Sequence, residues 1–158
     1  MYLKKTTFLK SIVYMIGLLV LILAIFVLPL VADLLATQSP EYAYLKWPML
    51  IGIYVTAIPF FIALFEALKL LRFIDQNEAF TDEAVKSLKT IAQCAVAIVV
   101  CYASGIFILT LLDAVQPGIV LLGLIIVFAS LIIALFAALL RELLRKVVAI
   151  KSENELTI

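Results

Sequence analysis

The side chains able to do chemistry in this 158-residue chain form a short list. The two cysteines, Cys94 and Cys101, stand two helical turns apart on one face, about 10 Å along the axis. That is too far for a disulfide, and the spacing is not a CxxC redox or metal motif. Both read as small packing residues. There is no histidine, which removes the commonest general acid–base, metal ligand and pH switch. The polar groups within the apolar stretches are Thr56, Gln93, Ser104, Thr110, Ser130 and a few tyrosines. They could line a path through a membrane only by converging. Pumps and proton relays keep ionisable groups at depth, and no Asp, Glu, Lys or Arg lies in those stretches. No Walker A, HExxH, GxSxG or GxGxxG motif occurs. No catalytic, cofactor-binding or metal-ligating residue is therefore assigned, and the expectation is a protein that is not an enzyme.

The elements that carry this list are membrane helices. The chain is 66% hydrophobic, where a soluble domain is about half apolar. A bilayer core about 30 Å thick takes about 20 apolar residues in a helix. Segments 11–32, 47–65, 91–112 and 118–140 meet that length without a charge. The reading is one all-α transmembrane domain, a bundle of four helices over about 8–34, 47–74, 82–112 and 118–150. Lys4, Lys5 and Lys10 precede the first segment like the basic region of a signal peptide. The uncharged run is too long for one, and Leu34-Leu35-Ala36 is a poor cleavage site. An uncleaved first helix is expected.

Orientation follows from the bases. Three lie at the N-terminus, four in the 66–90 connection (Lys69, Arg72, Lys86, Lys89) and four after the last segment (Arg141, Arg145, Lys146, Lys151). Lys46 is the one exception. The positive-inside rule places both termini and the 66–90 connection in the cytoplasm. Asp33, Glu41 and Asp113 then lie outside, with Tyr42, Tyr44 and Trp47 as an outer aromatic belt.

Helix signals continue past the membrane. Glu66 and Lys69 form a favourable (i, i+3) pair. Asp75-Gln76-Asn77-Glu78 breaks the apolar spacing. Thr81 reads as an N-cap, with Asp82 and Glu83 suited to the first turn and Phe80 and Val85 placed for a hydrophobic staple. The tail from Lys151 to Ile158 is polar and is expected to leave the last helix, mobile or bound to a partner.

Lipid supplies no hydrophobic drive between helices, so small residues mark where backbones meet. One stripe is Cys94, Ala97, Cys101 and Ser104. A second is Gly123, Ser130, Ala134 and Ala137, and a third runs from Gly52 through Thr56 to Ala63 and Ala67. Packing within one bundle is the expected use; a homo-oligomer seam is the other. Pro59 should kink the second helix statically, with Thr56 placed to repair the lost bond. Ile62-Ala-Leu-Phe-x-Ala-Leu68 recurs as Ile133-Ala-Leu-Phe-x-Ala-Leu139, and Gly52 and Gly123 share that offset. At a second offset Gly17 matches Ala97, Ala24 matches Ser104 and Asp33 matches Asp113. Two duplicated hairpins and chance matches between apolar helices both account for this.

The charges outside the membrane have two uses. They anchor helix ends to the lipid bilayer, at about 1 kcal/mol per base near an anionic surface. Alternatively they form a docking surface, for which the mixture of Glu66, Asp75, Glu78, Asp82 and Glu83 with four bases is suited. The candidate partner-binding residues are Lys69, Arg72, Asp75, Glu78, Lys86, Lys89, Arg141 and Arg145. With a net charge of +1, direct nucleic-acid binding is not expected. The first functional reading is a regulatory adaptor. The alternative is a small transporter, channel or self-immunity protein, and a subunit of a larger membrane complex cannot be told apart from the first.

Three stretches carry a family resemblance. They are Pro40 to Phe60 (PEYAYLKWPMLIGIYVTAIPF), Leu70 to Phe80 (LLRFIDQNEAF) and the tail from Lys151 to Leu156. The chain resembles the bacterial membrane family called Domain of Unknown Function 2975. That resemblance implies four helices and no known catalytic residues. Members are often encoded beside a very small helix-turn-helix regulator, so it also implies a small cytoplasmic DNA-binding protein as partner.

Overall fold

The structure, a computed structural model, describes residues 2–38, 40–76, 78–113 and 117–157. Asn77 and Ile158 lie outside these, as do the side chains of Lys4, Lys5 and Tyr42. Every described residue outside the turns at 76–81 and 112–113 is helical. The first rod comprises α1 (Tyr2–Ile22), a π-helical turn (Leu23–Val27) and α2 (Leu28–Gln38). A 3₁₀ segment (Pro40–Leu45) leads into α3 (Lys46–Asp75), followed by α4 (Asp82–Leu111) and α5 (Pro117–Thr157). Among the described residues four stretches are long and apolar enough to cross a membrane: Thr7–Gln38, Ala43–Asp75, Asp82–Leu111 and Pro117–Leu156.

The local signals account for most of the boundaries. Thr81 is extended (φ −130°, ψ 160°) and its hydroxyl oxygen accepts from the Ala84 N–H at 3.4 Å. Asp82 and Glu83 follow in the first turn, where the helix dipole favours acids. At the other end of α4, Asp113 takes a left-handed conformation (φ 53°), which Asp tolerates better than most residues. The connection at 33–46 is mostly helical rather than a loop. Pro40 opens the 3₁₀ segment and Leu45 is buried against Leu109, with Met49 and Ile119 around them. The tail also differs from expectation: α5 continues to Thr157. No Gly or Pro interrupts residues 119–157 apart from Gly123, so nothing in the chain stops the helix.

The rods associate in chain order, α1 and α2 on α3, α3 on α4 and α4 on α5. α4 therefore has neighbours on two sides. Its buried residues are Ala84, Ser87, Leu88, Cys94, Ala95, Ile98 and Leu109, a band of helical period. Of the stripe read from the sequence, Cys94 is buried but Ala97, Cys101 and Ser104 are exposed. Cys94 stands at the margin of the buried band, and the other three fall beyond it. Among the described residues α5 packs chiefly on α4 and buries one narrow line, Gly123, Ser130, Ala134 and Ala137. A Cβ on Gly123 would come within 2.9 Å of Ile106 Cδ1, whereas one on Gly52 would meet nothing within 4 Å. The two glycines matched by the repeat offset thus have unlike surroundings. Asp33, inside α2, and Asp113, in a turn, differ similarly.

The first rod is held differently, by polar contacts to α3. In the π turn the Leu28 N–H donates to the Leu23 carbonyl. Pro29, next in line, has no N–H to give. The Ala24 carbonyl is thereby left without a helical donor, and the Tyr54 hydroxyl of α3 donates to it at 2.6 Å. In α3 itself the helix runs through Pro59. Thr56 does not repair that proline. Its hydroxyl donates to the Ile53 carbonyl at 2.7 Å, not to Val55, whose partner the ring removes. Thr56 lies 3.2 Å from the Tyr102 hydroxyl of α4. Since the one Thr56 proton goes to Ile53, the tyrosine proton serves this pair.

Two outcomes are expected from thermal unfolding of the full chain in detergent. Gly123→Leu overpacks the α4–α5 line and should cost about 1–3 kcal/mol, lowering Tm by several degrees, while Gly52→Leu leaves Tm unchanged. Tyr54→Phe should cost about 1 kcal/mol. Its cost should shrink when combined with Pro29→Ala, which restores an N–H for the first helix; additive effects would refute the link between Pro29 and Tyr54.

Candidate functional site

The charged residues cluster by the logic of the helix ends. Each of α3, α4 and α5 outruns its uncharged core at the end where α1 begins and α5 finishes. Lys10 of α1 pairs with Asp75 of α3 at 2.6 Å, which places the start of the first rod beside the end of α3. Asp75 is only 17% exposed there. Of the residues expected to dock a partner, Asp75 is thus engaged within the fold. At the opposite end Lys46 pairs with Asp33 and lies over the Trp47 ring, 5.1 Å from its centroid. The one base outside the basic clusters is neutralised.

The remaining candidates divide into two groups. Lys69 and Lys86 come together across a cleft between α3 and α4. Glu66 and Lys69 make the (i, i+3) ion pair at 3.6 Å, and Lys69 also lies 5.5 Å from the centre of the Phe65 ring. Arg72, Glu78, Lys89 and Arg145 are exposed. Arg145 reaches Glu142 at 3.8 Å, a contact worth a few tenths of a kcal/mol on a solvated helix. Arg141 is half-buried, and its Nε is covered without a hydrogen-bond partner. A guanidinium stays charged, so this one presents a cation at the level where α5 leaves its apolar core.

Sequence reasoning passed over several participants. Ser87 lines the cleft and is 5% exposed; its place on the 84–87–88–94 band was the signal. Phe73 and Thr90 also line it. Lys10 as partner of Asp75, and Pro29 as the reason for Tyr54, had no local signal, because each pair is far apart in the chain. The polar residues of the membrane-spanning parts do not converge. Thr56 and Ser130 are buried, while Gln93, Ser104 and Thr110 are exposed, and the Thr110 hydroxyl donates to its own helix at Ile106. Both cysteines are free thiols. Among the described residues no group of three or more Cys, Asp or Glu is placed to hold a metal ion.

Comparison with known proteins agrees with this architecture. No solved structure matches the chain. The Uncharacterized membrane protein YoaS of Bacillus subtilis (strain 168) is 47% identical over 156 residues, covering 98% of each chain. A family model described as "Protein of unknown function (DUF2975)" matches residues 30–158. Four membrane-length helices, a near full-length membrane relative and a family match over most of the chain lead to one conclusion: this multi-pass membrane protein belongs to the DUF2975 family.

Proposed function

We propose that this protein is a non-enzymatic regulatory adaptor of the bacterial cytoplasmic membrane, with both termini in the cytoplasm. Its basic end holds a small soluble regulator, of the helix-turn-helix kind, at the membrane surface. The observation that carries the reading is the exposed set of mixed charges at that end. Arg72, Lys86, Lys89 and Arg145 stand on helix ends that project past their apolar cores, and Glu78 stands in the turn between α3 and α4. Projecting helices present such charges in fixed positions, and charge complementarity steers and orients a partner more than it adds raw affinity. Asp75 is excluded from this surface because it holds Lys10. Arg141 and Lys69 lie at its lower edge, near the lipid headgroups.

The test is a crosslinked pull-down of the full-length protein from native membranes, with partners identified by mass spectrometry. Wild type should retain a small DNA-binding protein. Arg72→Glu with Lys89→Glu should abolish retention while the protein stays folded and in the membrane. Unchanged retention would remove this surface from the proposal, and recovery of no soluble partner would remove the adaptor reading.

A further inference from the structure

The cleft between α3 and α4 is built from both signs of charge at one depth. Its volume is about 220 Å³, below the range of drug-sized pockets. Glu66 and Lys69 come from α3, Glu83 and Lys86 from α4. Glu66 directly follows the uncharged 47–65 run, and the α4 residues precede the uncharged 91–112 run. The cleft therefore lies where the hydrocarbon ends and lipid headgroups begin. Two of its charges, Glu83 and Lys86, make no ion pair among the described residues. The Ser87 hydroxyl, in a residue only 5% exposed, takes no protein hydrogen bond there either. That hydroxyl opens into the cleft and is free to meet a ligand there.

An apolar groove adjoins this cleft. It has a volume of about 450 Å³ and is lined by Ala57, Ile58, Phe61, Ile62 and Phe65. Phe65 belongs to the groove and Lys69 to the cleft, and the Lys69 ammonium lies over the Phe65 ring. Positions 58, 62, 65, 69 and 73 fall at i, i+4, i+7, i+11 and i+15, one face of α3. A single molecule with an apolar chain and a small zwitterionic head would span both.

The geometry points to a binding site for a glycerophospholipid whose headgroup carries a primary ammonium beside its phosphate. The ammonium is met by the Glu66 and Glu83 carboxylates. The phosphate is met by the Lys69 and Lys86 ammoniums and by the Ser87 hydroxyl, and an acyl chain lies along the Ala57–Phe65 groove. A lipid with a phosphate alone leaves two carboxylates facing an anion. A trimethylated amine has no N–H to donate to them. The site therefore prefers the primary amine over both.

Native mass spectrometry of the full-length protein, titrated with phosphatidylethanolamine, phosphatidylglycerol and phosphatidylcholine, tests this. The ethanolamine lipid should bind about tenfold more tightly than the other two, a difference of about 1.4 kcal/mol. Glu83→Gln with Lys86→Gln should remove that preference. Both side chains are exposed, so Tm should not change, and Lys151→Gln, on the far tail, should leave binding as in wild type. Equal binding of all three lipids, tighter binding of phosphatidylglycerol, or a preference that survives the double substitution would each overturn the assignment. Loss of lipid preference is read without any protein partner, so this result stands or falls separately from the adaptor reading.

Discussion

Helices in lipid are not driven together by the hydrophobic effect, and the whole architecture depends on how each rod solves that problem. α5 solves it by geometry. Gly123, Ser130, Ala134 and Ala137 leave one line of its surface low enough for close approach to α4, and Ile106 already fills the space beside Gly123. The first rod solves it with polar contacts to α3. Lys10–Asp75 lies at one end, Tyr54 on the Ala24 carbonyl near the middle, and Lys46–Asp33 at the other end. α4, with neighbours on both sides, contributes the widest buried band. Among the described residues no side chain is large and fully buried, as expected where lipid rather than protein covers most of the apolar surface.

The π turn shows how a local defect becomes a tertiary contact. A proline in a helix leaves carbonyls without donors, and in hydrocarbon no water can satisfy them. Here the register shift at Leu23–Val27 and the missing Pro29 N–H concentrate the deficit on Ala24, where a tyrosine from the next rod meets it. Pro59 in α3 has no such partner from Thr56, whose hydroxyl is directed to Ile53 and paired with Tyr102 instead. The Thr56–Tyr102 pair is one of few polar links between α3 and α4 within the span.

At the basic end, charge is sorted by use. Asp75 is consumed in holding α1, the cleft gathers both signs between α3 and α4, and Arg72 and Lys89 stand exposed on helix ends. Near the hydrocarbon edge a charge must be paired, covered or in contact with a headgroup, whereas a turn or two further out water satisfies it without a protein partner. The end of α5 carries this furthest. From Arg141 to Thr157 the helix extends about 25 Å past its apolar core.

The sequence alone determined the four spans, because a run of about 20 uncharged residues has one economical conformation in a bilayer. It also determined the Thr81 cap and the Glu66–Lys69 pair, which are interactions within a few residues of chain. The α5 line of small residues was legible too, since a helix packed chiefly on one neighbour needs only one stripe. The same reasoning misplaced Ala97, Cys101 and Ser104, because a helix with two neighbours has its buried face decided by where both stand. Only the tertiary structure assigned Asp75 to Lys10, Tyr54 to the gap left by Pro29, and Ser87 to a cleft between charges from two helices. Each of these joins residues distant in sequence, and periodicity within one helix contains no information about which side chain of another will face it.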